Sequence, residues 1–375
     1  MTHQNKKIKI LYTIPNFDTA GSGIALMKLI QNIDLCKFEP NIACLHNRGA
    51  YFQNVVKLSG IKVYVYPYIA RLRPISALIK DCWRISRFFR KEKFDIVFSY
   101  NYSADYSEAI AAKLAGCKFM YVKKNMSWKG SSHNGWKLKS LLANGITVQN
   151  TDMMRDFFNN NKKARLISIG VDADEFFQRP IDNNLRKELG ISEFEKVIIC
   201  VANITPKKGI DFLLRGISLI ERDIKLIIIG DYNNPFGMKM LELRDILKLP
   251  SDRVIFMGKR SDVSRFYSIA DLFILPSIGD EGAPIVIQEA MSMGIIVIAT
   301  DVTGNRDQLD TLPGQLIPIC SAESIAQAID FYLNISPSNK TRIINRQLEI
   351  IEERYSLKSE VEKHEQFYLE IMNCK

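Results

Sequence analysis

The stretch at residues 271–307 constrains the fold more than any other part of this 375-residue chain. Leu272–Leu275 and residues 295–299 are short apolar runs, which is typical of strands buried on both faces of a parallel sheet. Between them the sequence predicts one helix, because Pro284 suits a first helical turn and Gly294 suits the left-handed position just past a helix end. The stretch is therefore predicted to be a β-loop-α-β unit.

The loop at residues 277–283 follows the first of these strands and leads into the helix. Open α/β sheets bind ligands at the carboxyl ends of their strands, and the N–H groups and positive dipole end of a helix start favour phosphate. Glu281 precedes the helix, and Glu289 lies within its first turn and a half. Carboxylates accept hydrogen bonds from the paired hydroxyls of a ribose or a sugar ring. The pattern predicts a nucleoside diphosphate sugar site; the alternative is a capped surface helix with two solvated acids.

The same residues resemble a known family. The spacing of Glu281 and Glu289 is similar to the E-x7-E signature of family 4 glycosyltransferases, which are retaining enzymes of the GT-B fold. Neighbouring residues that share in the resemblance are Gly282, Pro284, Ala290, Met291 and Gly294. The similarity extends over almost the whole chain and is strongest at residues 196–307.

The resemblance implies an α/β fold of the GT-B type, with two doubly wound, Rossmann-like domains facing a cleft. Residues 1–177 would form the acceptor-binding domain, residues 178–354 the nucleotide-sugar-binding domain, and residues 355–375 a helix that crosses back to the first domain. The sequence supports this organisation, because short apolar runs alternate with helical stretches, as in parallel sheets with helices on both faces. A chain of 375 residues is also too long for one ordinary core.

Predicted strands lie in both halves of the chain. They comprise residues 7–14, 41–45, 61–66, 95–99, 118–122, 145–149, 196–202, 224–229 and 253–257. Predicted helices, besides the one after Pro284, comprise residues 74–91, 321–333, 341–353 and 357–372. A glycine-containing loop is predicted at residues 17–23, between the first strand and a helical pattern.

The resemblance also implies roles for individual residues. Glu281 and Lys208 are predicted to be catalytic: Glu281 would hold the hydroxyls of the donor sugar, and Lys208 would stabilise the departing diphosphate. Glu289 would bind the ribose. Further substrate-binding residues are predicted to be Gly282, Ala283, Pro284, Ile285, Gly21, Asn203, Arg306 and Asn125.

These substrate-binding residues fall into three groups. Residues 282–285 would offer backbone N–H groups at the helix start. Gly21, in the loop predicted at residues 17–23, would face the sugar diphosphate, and Asn125 follows a strand where the family places polar residues toward the acceptor. Asn203 stands where the family usually has arginine, so the phosphate site lacks one cation, which Lys207 or Arg306 would supply.

The net charge of +10 is concentrated in the first half of the chain. Residues 1–180 contain 28 Lys and Arg against 13 Asp and Glu, whereas the remainder is net acidic. A basic half can bind nucleic acid, an anionic membrane surface or an anionic substrate. Nucleic-acid binding is disfavoured, because few aromatic residues lie among the basic ones and no recognition motif is present.

The predicted helix at residues 74–91 is basic and amphipathic. Its apolar stripe is predicted to comprise Ile75, Leu78, Ile79, Cys82, Ile85 and Phe89. Such a helix suits an anionic membrane surface or ordinary packing on its own sheet, and the sequence leaves both open.

Several features are absent from the sequence. No segment approaches 18 uninterrupted apolar residues, and the N-terminal apolar run suits a strand better than a signal peptide. The seven cysteines are scattered without a C-x-x-C pair, so we expect no disulfide framework, no metal site and a cytoplasmic location. Asp172 and Asp174 match the D-x-D of metal-dependent glycosyltransferases but lie in the predicted linker, so no metal is expected from them. No cofactor is expected, since the nucleotide sugar is a co-substrate.

The resemblance implies a retaining glycosyltransferase, and the absence of a metal-ligand pattern predicts that it is metal-independent. It would move a sugar from a nucleotide sugar, with UDP preferred to GDP, to a glycan or lipid-linked glycan in cell-surface polysaccharide biosynthesis, in the cytoplasm or on the inner face of the plasma membrane. One alternative is a catalytically silent protein that binds a sugar nucleotide or a membrane surface, which Asn203 favours. Another is a nucleotide-sugar epimerase, which would share the fold and the phosphate site.

Overall fold

The computed structural model of the chain describes residues 6–17, 20–128 and 132–374. These residues form two compact units. The first comprises the chain up to Ile169 together with the part from Leu357 onwards, and the second is Gly170–Ser356. The sequence predicts the first boundary after residue 177, which is eight residues later than in the structure. It predicts the second boundary after residue 354, which is two residues earlier than in the structure.

The strands described in the first unit pair in parallel in a seven-stranded sheet. They are β1 (Ile8–Thr13), β2 (Phe38–Cys44), β3 (Lys62–Val65), β4 (Ile96–Ser99), β5 (Lys118–Lys123), β6 (Gly145–Val148) and β7 (Ala164–Leu166). The helices are α1 (Ala20–Asn32), α2 (Ile75–Lys91), α3 (Ser107–Ala115), α4 (His133–Leu142) and α5 (Thr151–Phe158). The sheet order β3-β2-β1-β4-β5-β6-β7 reverses at β1, as in a doubly wound sheet.

Apolar side chains cover both faces of this first sheet. Ile10 and Phe98 belong to the buried cluster on one face, and Leu11 and Val97 to the cluster on the other. Successive residues of a strand point to opposite faces, so strands covered on both sides read as continuous apolar runs. This is why the strands of the chain can be recognised in the sequence.

The second unit contains a smaller sheet of the same kind. Its described strands are β8 (Lys196–Val201), β9 (Ile224–Ile229), β10 (Val254–Gly258), β11 (Leu272–Leu275), β12 (Ile296–Thr300) and β13 (Leu316–Ile317), in the order β10-β9-β8-β11-β12-β13. Its described helices are α6 (Asn183–Glu188), α7 (Ile210–Ser218), α8 (Pro235–Ile246), α9 (Val263–Tyr267), α10 (Ile285–Ser292), α11 (Asn305–Leu309), α12 (Ala322–Leu333) and α13 (Pro337–Arg354). The sheet is parallel, and its order reverses at β8.

The last helix, α14 (Leu357–Asn373), returns to the first unit. Phe367, Tyr368 and Ile371 are buried in the cluster that covers one face of the first sheet. The hydroxyl of Tyr12 on β1 donates to the hydroxyl of Tyr368 at 3.2 Å. Gly145 allows α14 to lie close to β6, because a Cβ there would be 2.3 Å from the side chain of Ile371.

The structure differs from the sequence prediction in three local elements. The sequence does not predict β7 and β13, because two or three residues are too few to give a periodic apolar pattern. The loop predicted at residues 17–23 is also wrong in its second part, since α1 already begins at Ala20 and contains Gly21. Asp18 and Thr19 of that loop lie outside the described residues.

Helix α2 carries two apolar stripes instead of the single predicted one. Cys82 and Phe89 are buried in the first unit, whereas Ile75 and Ile79, predicted to share their stripe, are 72% and 65% exposed. Ile75 and Ile79 align at four-residue spacing with Trp83, which is 57% exposed. Each four-residue step advances about 40° round a helix, so Ile79 and Trp83 lie progressively farther from the buried face, whereas Ile75 is the first residue of the helix. None of the helices in the described part of the chain has both the length and the hydropathy needed to cross a membrane.

Candidate functional site

The predicted site lies in the second unit, at the carboxyl ends of β8, β11 and β12. β11 pairs in parallel with both of the other strands, so all three end at the same edge of the sheet. The strand order reverses between β8 and β11, and such a switch point leaves a crevice for a ligand in open α/β sheets. Loops at residues 202–209, 276–284 and 301–304 leave this edge.

Backbone contacts hold the first two of these loops together. The N–H of Ile278 donates to the carbonyl oxygen of Lys207 at 2.8 Å. Gly209 permits this close approach, because its φ is +61° and a Cβ there would lie 2.1 Å from the carbonyl oxygen of Pro276. The loop after β8 is therefore fixed against the loop after β11.

Glu281 accepts two short hydrogen bonds, one from the loop after β8 and one from its own loop. Lys208 Nζ and Ser277 Oγ each lie 2.6 Å from Oε1 of Glu281. The side chains of Lys208 and Glu281 are 19% and 15% exposed, so their opposite charges meet largely out of solvent. The N–H of Glu281 also donates to the carbonyl oxygen of Thr303 at 3.2 Å, which ties the loop to the one after β12. The structure thus brings together the two residues predicted to be catalytic.

Ser277 is a site residue that the sequence reasoning missed. It is fully buried, and its carbonyl oxygen accepts a hydrogen bond from the hydroxyl of Thr300 at the end of β12. The available signal was a hydroxyl directly after the β11 strand and its proline, four residues before Glu281. Gly304 completes the arrangement, because its φ is +81° and a Cβ there would lie 2.7 Å from the carbonyl oxygen of Gly282.

Helix α10 begins at Ile285, with Pro284 in the capping position before it. Proline carries no N–H, so among the four residues predicted to supply N–H groups only Gly282, Ala283 and Ile285 have one. The helix ends before Gly294, whose φ of +72° is the predicted left-handed conformation. The predicted β-loop-α-β unit is therefore present.

Glu289 is held by a tyrosine from a neighbouring helix. Its Oε2 accepts a hydrogen bond of 3.0 Å from the hydroxyl of Tyr267, the last residue of α9. Tyr267 is only 1% exposed, and burial together with the adjacent Glu289 raises the pKa of its hydroxyl well above the ordinary value. The hydroxyl therefore stays protonated and fixes one oxygen of the carboxylate. Tyr267 was also missed, because no local pattern connects it to a residue 22 positions later.

The predicted replacements for the missing arginine lie at the same edge of the sheet. Asn203 and Lys207 are exposed in the loop after β8. Arg306 on α11 is already ion-paired, with Nε 2.7 Å from Oδ1 of Asp301. The two side chains of this pair are 44% and 50% exposed, so the pair contributes little stability and can open for another anion.

Two predicted substrate-binding residues lie in the first unit. Gly21 is an exposed residue of α1. Asn125 follows β5, and its Oδ1 accepts hydrogen bonds from Lys123 Nζ at 2.8 Å and from the N–H of Ser127 at 3.2 Å. The Asn125 side chain thus orders the turn after β5.

The described residues contain no group of three His, Cys, Asp or Glu side chains arranged to hold a metal ion. In the D-x-D segment, Oδ1 of Asp172 accepts the N–H of Asp174 at 3.1 Å, so this segment forms a turn. All seven cysteines carry free thiols.

Comparison with known proteins shows similarity to glycosyltransferases. Residues 181–348, which are most of the second unit, match the family described as "Glycosyl transferases group 1". The second unit of the chain is therefore similar to the group 1 glycosyltransferases. This glycosyltransferase is 24% identical over 380 residues to the UDP-Gal:alpha-D-GlcNAc-diphosphoundecaprenol alpha-1,3-galactosyltransferase of Escherichia coli, and the match covers 92% of this chain and 94% of that protein.

Solved structures show the fold of this glycosyltransferase. A glycosyltransferase from Rickettsia africae is 20% identical, with a TM-score of 0.85 and coverage of 98% of this chain and 100% of that one. Anabaena Alr3699/HepE in complex with UDP and glucose is 19% identical, with a TM-score of 0.82 and coverage of 96% and 99%. The predicted family and the predicted fold class, two Rossmann-like α/β domains of the GT-B type, are confirmed.

Proposed function

We propose that this glycosyltransferase is a retaining enzyme that moves a sugar from a UDP-sugar to a glycan or lipid-linked glycan in the biosynthesis of a cell-surface polysaccharide. The observation that carries the proposal is the contact of 2.6 Å between Lys208 Nζ and Glu281 Oε1 at the carboxyl edge of the second sheet. A cation and a carboxylate beside a helix start suit a diphosphate joined to a polyhydroxylated sugar.

Lys208 and Glu281 would act on different parts of the donor. Negative charge develops on the diphosphate as its bond to the sugar breaks, and a fixed cation such as Lys208 is most effective where charge develops. Glu281, held by Ser277, would accept hydrogen bonds from hydroxyls of the donor sugar. The acceptor hydroxyl would attack from the face that the diphosphate leaves, and the departing phosphate would take its proton. This course retains the configuration at the anomeric carbon.

Glu289 would bind the nucleoside end of the donor. The hydroxyl of Tyr267 fixes Oε2 of this carboxylate, which sets its orientation toward the two ribose hydroxyls. A second cation for the diphosphate would come from Lys207 or from Arg306 after release from Asp301, in place of the arginine absent at Asn203. Backbone N–H groups at Gly282, Ala283 and Ile285 would add donors to the same oxygens.

UDP is the proposed nucleotide, because a relative over nearly the whole chain is named for UDP-Gal and a solved structure of similar fold holds UDP and glucose. The experiment is a thermal-shift series with UDP, GDP and their common sugar conjugates, followed by NMR of the product formed from the sugar nucleotide that stabilises most. We expect stabilisation by UDP-sugars and retained anomeric configuration. An inverted product contradicts retention, an altered sugar nucleotide formed without acceptor indicates an epimerase, and binding without turnover indicates a silent protein.

We also propose that transfer needs no metal ion. Lys208, a second cation and the helix start would supply the positive charge that a divalent ion supplies in metal-dependent transferases. Activity measured with EDTA and after addition of Mg²⁺ or Mn²⁺ tests this, and we expect equal rates. Loss of activity in EDTA that metal restores would contradict the proposal.

Membrane association is proposed from the second stripe of α2. Ile75, Ile79 and Trp83 are exposed on a helix rich in arginine and lysine, and the Arg87 guanidinium lies 4.8 Å from the centre of the Trp83 ring. Apolar side chains flanked by basic ones bind at the interface of anionic bilayers. The protein would then act on the cytoplasmic face of the membrane, where a lipid-linked acceptor is presented. The Escherichia coli relative is named for an acceptor attached to diphosphoundecaprenol.

A further inference from the structure

Three lysines of the first unit lie at or near the carboxyl end of β5. Lys123 is the last residue of that strand, Lys124 follows it, and Lys139 is on α4. Lys123 and Lys139 are fully buried, and the Nζ of Lys124 is buried although part of its side chain reaches the surface. Lysine is almost never buried unless its charge is paired, so the partners of each ammonium group decide what it does.

Two of the three lysines have structural partners. Lys123 Nζ donates to Oδ1 of Asn125 at 2.8 Å and to the carbonyl oxygen of Ser127 at 2.6 Å, which orders the turn after β5. Lys139 Nζ donates to two carbonyl oxygens of the loop after β4, at 3.2 and 3.4 Å. These two ammonium groups cross-link backbone segments at the edge of the sheet.

Lys124 lacks partners of this kind. Within the described ranges of the chain, no atom accepts a hydrogen bond from its Nζ. The Nζ lies 4.2 Å from the ring centre of Tyr100 and 5.1 Å from that of Tyr102. The carboxylate of Glu360 on α14 favours the charged form, but burial outweighs it and lowers the pKa of Lys124 to about 7.

A second donor without a partner lies between these tyrosines in the chain. Asn101 is 5% exposed, and its Nδ2 has no acceptor among the described residues. Its Oδ1 is occupied by the N–H of Ser103, at 3.1 Å. A buried donor without an acceptor costs free energy. Both donors follow adjacent strands, β4 and β5, at the edge where open α/β sheets bind ligands.

Of the two tyrosine rings near the Lys124 ammonium, that of Tyr102 is the more exposed. Tyr102 is 37% exposed, whereas Tyr100 is 5% exposed. A ligand would therefore approach Nζ from the side of Tyr102 and not from the side of Tyr100. A ligand that satisfies these donors must be rich in hydrogen-bond acceptors, because the donors are an ammonium and an amide N–H group.

We propose that Lys124 and Asn101 bind an anionic group of the acceptor, of the phosphate or diphosphate class. This inference rests on the proposed function, because it names the chemical class of the acceptor of that transfer. Phosphate oxygens can accept several N–H groups at once and would satisfy both donors. A neutral glycan end would leave the ammonium without a counter-charge.

The test is calorimetric titration of the full chain with inorganic pyrophosphate while saturating UDP occupies the donor site. The variants are Lys124→Met, which keeps the length of the side chain, and Lys91→Met as a matched control on an exposed lysine of α2. We expect the wild type and Lys91→Met to bind pyrophosphate and Lys124→Met to bind about tenfold more weakly or worse. Equal affinity in wild type and Lys124→Met, no binding by the wild type, or binding of acetate in place of pyrophosphate would overturn the inference.

Two further measurements separate ligand binding from a structural role. At pH 8 the wild type should take up a proton when pyrophosphate binds, seen as a buffer-dependent enthalpy, and Lys124→Met should not. Lys124→Met should also melt at or above the temperature of the wild type, because a buried ammonium without a partner opposes folding. A lower melting temperature with unchanged proton uptake would overturn the inference. Titration with UDP alone tests the donor site separately. Failure of the wild type to bind UDP would count against the proposed function, whereas unchanged UDP binding by Lys124→Met would not.

Discussion

Lys208 Nζ lies 2.6 Å from Oε1 of Glu281, and the two residues are 73 positions apart in the chain. Each charge is largely shielded from solvent, so each depends on the other while no donor is bound. A diphosphate would compete with Glu281 for the lysine, and sugar hydroxyls would compete with Lys208 for the carboxylate. Under the proposed function, the contact would therefore hold both groups in position for the donor.

Replacement of either member of this pair should reduce turnover. We expect Lys208→Met and Glu281→Gln to lower kcat by about 100-fold or more, because a fixed group that stabilises developing charge contributes about 10² to 10³ in rate. The measurement is kcat at saturating donor, with circular dichroism to establish folding. Lys239→Met, on an exposed lysine of α8, is the control. Normal turnover in a folded Lys208 or Glu281 variant would remove that residue from the mechanism.

The contact between Tyr267 and Glu289 should set nucleotide affinity. We expect Glu289→Gln to bind both the sugar nucleotide and free UDP about ten- to a hundredfold more weakly, because an amide offers the ribose one acceptor fewer. Tyr267→Phe should show a smaller loss for the same two ligands, since it frees the carboxylate without removing it. The measurement is calorimetry of each variant with both ligands. Glu242→Gln, a change at an exposed glutamate of α8, is the control. If Glu289→Gln binds both ligands as tightly as the wild type, the ribose lies elsewhere.

The exposed stripe of α2 should carry membrane binding. We expect the wild type to sediment with vesicles containing anionic lipid and to be released by salt, because each basic residue near such a surface contributes about 1 kcal/mol. Ile79→Glu/Trp83→Glu should lose this binding. The control is Ile246→Glu, at an isoleucine that is 74% exposed on α8, and this variant should still bind the vesicles. Equal partition of wild type and double variant, or equal binding to neutral vesicles, would leave α2 as an ordinary surface helix.

His364 on α14 should make the protein sensitive to acid. Burial lowers the pKa of its imidazole to about 3, against about 6.5 in an unfolded chain. Below pH 6.5 the unfolded state therefore binds a proton that the folded state does not, so stability falls as pH falls, by about 1.4 kcal/mol per unit down to pH 3. Above pH 6.5 the imidazole is neutral in both states and adds no pH dependence.

Urea unfolding at pH 7.5, 6.5 and 5.5 tests this sensitivity. We expect His364→Gln to lose less stability than the wild type between pH 6.5 and 5.5, whatever its stability at pH 7.5. His133→Gln, on an exposed histidine at the start of α4, should follow the wild type. Parallel curves for the wild type and His364→Gln would show that another group controls the acid response.

The parts of this molecule that the sequence predicts are those with a local signature. Strands such as Leu272–Leu275 are continuous apolar runs because both faces are covered, and the loops that follow them carry Lys208 and Glu281. The contacts of these residues are less predictable, because they depend on how distant segments pack. Nothing local joins Tyr267 to Glu289, and the second stripe of α2 needs the orientation of the helix on its sheet. The catalytic roles of Lys208 and Glu281 stay predictions.

The return of α14 to the first sheet has a consequence for the order of synthesis. The second unit is one uninterrupted stretch, so every residue of its core precedes α14 in the chain. The first sheet is made earlier but keeps the surface at Tyr12 and Gly145 uncovered until Tyr368 and Ile371 arrive. The sheet that is translated first thus completes its core only with residues that are translated after the whole of the second unit.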